Sequence, residues 1–109
     1  MPTTKEQPNI LFVFSDQHRA QSLGCYGNTD VRSPTFDAFA AEGRRYTTCV
    51  SNSPVCVPAR GTILTGLHAW RHRAITNDVP VDHSVRSIAH ALRDGGYSTG
   101  YVGKWHLGG

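Results

Sequence analysis

The sequence predicts an α/β chain, and three observations carry that prediction. An unbroken apolar run near the start reads as a strand buried on both faces. Stretches with helical spacing and helix stop signals follow it. A last strand-like stretch then ends in a group of polar residues. At 109 residues, with 39% hydrophobic and 17% charged residues, this is at most one domain, globular rather than disordered.

The first element is Ile10 to Phe14 in "PNILFVFSD", ended by Ser15 and Asp16. Its hydrophobicity is continuous rather than alternating, as in the interior of a parallel sheet. Ser33-Pro34 then supplies an N-cap with proline at the first helical position, and "TFDAFAAEG" puts Phe36, Phe39 and Ala40 on one face before Gly43 stops the helix. "RRYTTCV", residues 44–50, reads as a second strand. A short helix is expected from Pro58 to Leu64, opening just after Cys56 and closing at Gly66. Residues 71–83 contain Pro80 and no clear period, so a loop is expected there. From Ser84, the residues Val85, Ile88, Ala89 and Leu92 form a helical stripe ended by Gly95-Gly96. "YSTGYVG", residues 97–103, is a third strand that delivers "KWHLGG".

Composition narrows the function classes. The formal charge is +3, but Arg44-Arg45 and Arg71-His72-Arg73 are the only basic clusters and no aromatics interleave them, so no nucleic-acid partner is expected. No apolar run reaches membrane-spanning length, so no membrane partner is expected either. Residues 1–7 are polar and expected to be disordered. They lack the charged and apolar regions of a signal peptide, and Cys25, Cys49 and Cys56 form no disulfide framework, so a cytoplasmic setting is expected.

In open α/β sheets ligands gather beyond the carboxyl ends of strands. Asp16 follows the first strand, Lys104 and His106 follow the last, and Cys56 sits at a helix N-terminus where N–H groups and the dipole favour an anion. Residues far apart in sequence are thereby aimed at one region suited to something negative.

The stretch "CVPARGTILTG", Cys56 to Gly66, resembles the modification motif of the sulfatase family, Cys-x-Pro-x-Arg followed by x-x-x-Leu-Thr-Gly. Its six fixed positions would recur by chance in roughly one in 10⁶ chains of this length. "NILFVFSDQ" resembles that family's first strand ending in a metal-binding aspartate, and "GYVGKWHLG" resembles its Gly-Lys-x-His-x-Gly segment. The likeness runs from Pro8 to Gly109.

The resemblance implies an alkaline-phosphatase-like fold, a mixed and mainly parallel sheet flanked by helices, of which residues 1–109 are the N-terminal, incomplete part of the catalytic domain. It implies that a separate formylglycine-generating enzyme oxidises Cys56 to Cα-formylglycine. One hydroxyl of the hydrated aldehyde would attack the sulfur of a sulfate ester, and the second would release the sulfate. Arg60, one helical turn on, would hold the hydrate and offset the anion. Lys104 would bind a sulfate oxygen, and His106 would act as an acid/base. Asp16 and the modified residue 56 would ligate a divalent cation, Ca²⁺ first and Mg²⁺ or Mn²⁺ next. Asn77 falls where some relatives place a substrate-pocket amide.

Two departures qualify the likeness. Many sulfatases carry Asp-Asp after the first strand, whereas this chain has Asp16-Gln17, so Gln17 is a neutral ligand or a donor behind the ligands. The same pair occurs in relatives acting on choline sulfate or on phosphonate and phosphate esters, which keeps a phosphonate monoester or phosphodiester hydrolase as an alternative. Family members also run several hundred residues and take further metal ligands and a second lysine from a later segment. The 109-residue piece alone is therefore expected to be inactive, and an inert truncated sulfatase is the remaining alternative.

Outside the family, Cys49, Cys56, His68 and His72 form a C-x₆-C-x₁₁-H-x₃-H pattern, but the cysteines are too widely spaced for a zinc knuckle and Gly66 interrupts the helix. A cysteine phosphatase loop places about five residues between Cys and Arg to wrap a phosphate, and Cys56 and Arg60 are closer than that. Cys25 and Cys49 are expected to be ordinary thiols. His18, His68, His72, His83 and His90 are expected on the surface or in loops.

Overall fold

Proline and glycine bound the helix Pro34–Glu42, and Gly66 and Gly95 end the helices Cys56–Thr65 and Ile88–Asp94. A computed structural model describes residues 7–108, so six of the seven N-terminal residues expected to be disordered lie outside the described residues. The chain divides into two compact units, residues 1–47 and 48–109.

In the first unit, two 3₁₀ turns, Ala20–Ser22 and Gly24–Tyr26, precede α1, Pro34–Glu42. Pro34 opens α1 and Gly43 closes it, as the sequence predicts. Ser33 occupies the N-cap position, yet its side chain does not cap the helix. Its hydroxyl accepts from the Gly24 N–H at 2.7 Å and donates to Asp37 Oδ1 at 3.1 Å, and Asp37 Oδ1 also accepts from the Cys25 N–H at 2.6 Å. Ser33 and Asp37 thus tie the second 3₁₀ turn to the first turn of α1. Phe36 and Phe39, read as sharing one face of this helix, are exposed.

In the second unit, α2 is Cys56–Thr65, α3 is Ala69–His72 and α4 is Ile88–Asp94. The helix expected from Pro58 begins two residues earlier and ends at Gly66, which takes the left-handed conformation (φ 71°) that glycine adopts without a Cβ penalty. α3 extends into the first two residues of the stretch expected to be loop, residues 71–83. The helix expected from Ser84 starts only at Ile88, because Asp82 Oδ1 accepts from both the N–H (2.9 Å) and the hydroxyl (2.7 Å) of Ser84 and bends residues 82–85 into a turn. Ser87 then caps α4, its N–H donating to His90 Nδ1 at 3.1 Å, so an imidazole fills the capping-box position usually held by Glu or Gln. A small core of Val57, Ala74 and Leu107, flanked by Leu64 and Val81, joins α2 to the loop after α3 and to the C-terminal turn.

The three expected strands are not formed: among the described residues there is no hydrogen-bonded strand. A strand exists only through a partner's ladder, and a strand buried on both faces also needs a covering layer. Neither is supplied to Ile10–Phe14, where Leu11 is 89% exposed, nor to residues 44–50 and 97–103, where Val50 and Val102 are exposed.

Candidate active site

Cys56 is the first residue of α2 and is partly accessible. Its thiol lies 3.8 Å from the Lys104 ammonium, two residues brought together across 48 positions of sequence. Arg60, one turn further along α2, is only 6% exposed. A buried guanidinium is tolerated when its donors are used. Here Nη1 donates to the Lys104 carbonyl at 2.6 Å and approaches the Tyr101 hydroxyl at 3.4 Å. The Tyr101 hydroxyl donates to the same carbonyl at 2.6 Å.

Asn77 comes to the same helix end. Its Oδ1 accepts from the Val57 N–H at 3.0 Å and satisfies one of the orphan donors of the first turn. The amide expected to line a substrate pocket is therefore also a cap for the helix that begins with Cys56. His106 is exposed and lies two residues beyond Lys104 in left-handed backbone, φ 54°. Gln17, in the other unit, is left-handed too, φ 53°. Such conformations cost a non-glycine residue roughly 1–2 kcal/mol and concentrate at functional positions. Asp16 and Gln17 are both exposed, after the first apolar run, in the unit that does not contain Cys56.

His72, expected on the surface or in a loop, ends α3 and is fully buried. Its Nε2 lies 3.2 Å from Thr62 Oγ1, which also accepts from Asn52 Nδ2 at 2.8 Å, and its Nδ1 has no hydrogen-bond partner among the described residues. The ring packs on Gly61, where a Cβ would sit 2.7 Å from His72 Cε1. The signal for this contact was available, since a glycine inside a helical stretch often marks a close neighbour. Tyr101 was also missed, and an aromatic within "YSTGYVG" gave no sign of its partner. The zinc-knuckle pattern gains no support: among the described residues no three of His, Cys, Asp and Glu form a group that could hold a metal. No helix among them is long and apolar enough to cross a membrane.

The family model for sulfatases matches residues 8–109. The uncharacterized sulfatase YidJ of Escherichia coli is 38% identical over 95% of this chain, and the N-acetylgalactosamine-6-O-sulfatase of Bacteroides thetaiotaomicron is 35% identical over 94% of it. The chain spans 21% of the length of each, about a fifth. Among solved structures, the phosphonate monoester hydrolase of Agrobacterium radiobacter superposes with a TM-score of 0.78 at 36% identity, covering 84% of this chain and 18% of that one. The motif at Cys56, its meeting with Lys104 and a family match over nearly the whole length lead to one conclusion: this chain belongs to the sulfatase family.

Proposed function

We propose that the chain is the N-terminal part of a sulfuric ester hydrolase whose nucleophile is Cα-formylglycine, made from Cys56 by a separate formylglycine-generating enzyme. The observation that carries this reading is the Lys104 ammonium, 3.8 Å from the Cys56 thiol at the start of α2. A formylglycine fits there, because residue 56 is accessible, faces a cation and sits at the positive end of a helix dipole. When present, the hydrated aldehyde supplies one hydroxyl to attack sulfur and a second whose deprotonation frees the sulfate.

The other residues position and neutralise. Lys104 offsets the charge on a sulfate oxygen. Arg60 adds positive charge behind residue 56 and fixes the backbone of Lys104. Asn77 holds the first turn of α2 in place, and His106 exchanges a proton at the rim. A divalent cation, Ca²⁺ before Mg²⁺ or Mn²⁺, belongs to the same proposal, with Asp16 as one oxygen ligand and Gln17 beside it. Hard cations of this kind take about six or more ligands. Among the described residues no group of three His, Cys, Asp or Glu makes a complete cation site, and none of these roles runs through the metal. The proposal extends to the fold: residues 10–14, 44–50 and 97–103 become sheet strands in a chain of its relatives' length.

The test is a mass spectrum of the protein from its native host, fragmented across residues 46–60. The expected result is an aldehyde at residue 56, with oxygen in place of sulfur and two hydrogens; an unmodified thiol overturns the reading and favours an inert fragment. A second reading, hydrolysis of phosphonate monoesters by the same nucleophile, is supported by the likeness to the Agrobacterium enzyme and by Gln17. Turnover of an aryl sulfate against an aryl phosphonate monoester, in a chain of its relatives' length, separates the two.

A further inference from the structure

We infer that Tyr101 is a positioning residue that sets where the Lys104 ammonium stands, through a hydrogen bond to the Lys104 carbonyl. This rests on the role proposed for Lys104. The carbonyl has two lone pairs and two donors: Tyr101 Oη at 2.6 Å and Arg60 Nη1 at 2.6 Å. Arg60 comes from α2, the helix that carries Cys56, so one arm ties the lysine's backbone to the nucleophile's own element. Tyr101 closes the turn from within, around Gly103 at φ 112°. Its ring is held in turn by an edge contact with Trp105, centroids 4.9 Å apart at 83°. Beyond the turn, Leu107 is buried and its carbonyl accepts from the Val81 N–H at 3.1 Å.

The peptide after Lys104 is therefore fixed at its oxygen from two directions, and that plane decides where the side chain departs toward residue 56. With the phenol gone, the carbonyl keeps its Arg60 donor but the turn around Gly103 loses the bond that closes it. The ring and its Trp105 contact would survive in Tyr101→Phe, so the substitution isolates the hydroxyl.

The chain offers a direct readout, since Lys104 and Lys5 are its only lysines. Succinimidyl iodoacetate joins an amine to a thiol through a single acetyl bridge. It is applied to chain whose residue 56 is still a thiol, and the Lys104–Cys56 product is quantified by peptide mass spectrometry. The native chain is expected to form it, and Tyr101→Phe to form about fivefold less, the change one ordinary hydrogen bond makes in a local equilibrium. Alkylation of Cys25, in the other unit, is expected to keep its rate. Equal bridge yields in native chain and variant overturn the inference alone. No bridge in the native chain overturns it together with the role of Lys104. Neither result depends on whether residue 56 is ever oxidised, so failure here is distinguishable from failure of the formylglycine reading.

Discussion

At Gly61 two opposing effects of a single methyl can be ranked. Alanine is the better helix former by about 1 kcal/mol. Its Cβ, however, would stand 2.7 Å from Cε1 of a fully buried His72 that has nowhere to retreat, and overpacking of this kind costs about 1–3 kcal/mol. Overpacking wins, so Gly61→Ala is expected to lower the urea midpoint of unfolding. In a His72→Ala background the same change is expected to raise it, and a double-mutant cycle in urea measures the reversal. At Lys104 the expectation concerns rate. If its ammonium, 3.8 Å from residue 56, meets charge developing on the sulfate, Lys104→Ala in a chain of its relatives' length should lose about 2–4 kcal/mol of transition-state stabilisation. Steady-state kcat/KM with an aryl sulfate gives that figure, and an unchanged value would remove Lys104 from the chemistry.

The turn that delays α4 makes a prediction in acid. Asp82 is held below the ordinary carboxylate pKa of 3.8, first by the hydroxyl and then by the N–H of Ser84, with Arg73 and His83 adding positive charge. A depressed folded-state pKa means the carboxylate's contribution is fully present above the unfolded value and fades as pH falls through the folded one. Urea midpoints of the native chain should therefore drop more steeply below about pH 4 than those of Asp82→Asn; parallel curves would show that the turn contributes nothing. This is also where legibility in the sequence divides. Pro34, Gly43, Gly66 and Gly95 announced their helix ends because proline and glycine act on their own backbone. Ser33 and Ser84 did not announce what they do, because their hydroxyls serve Gly24 and Asp82 rather than the helices they precede. Among the site residues, Cys56, Arg60 and Lys104 were named from the motif and do meet. Tyr101 acts through a tertiary contact that no local spacing encodes, whereas Gly61 marks a close neighbour without naming it as His72.

For the chain as a whole, the segments read as strands are the unfinished part. Residues 10–14 and 97–103 carry the composition of a buried sheet without, among the described residues, the ladder that would make them one. Their amides should exchange with solvent quickly in the 109-residue chain and slowly in a chain of its relatives' length, as read by hydrogen–deuterium exchange mass spectrometry. Fast exchange in both would refute the strand assignment. The anchoring of Lys104 has a consequence of another kind. Its carbonyl is pinned by two donors, while four methylenes separate that point from the ammonium beside residue 56. A fixed foot on a pliant stem delivers charge over a range of reach, whereas a rigid fork would demand one bond length. Esters built on sulfur or on phosphorus differ in size and charge, and such a residue can follow either. Under the proposed chemistry, discrimination between them falls to stiffer groups around the same centre.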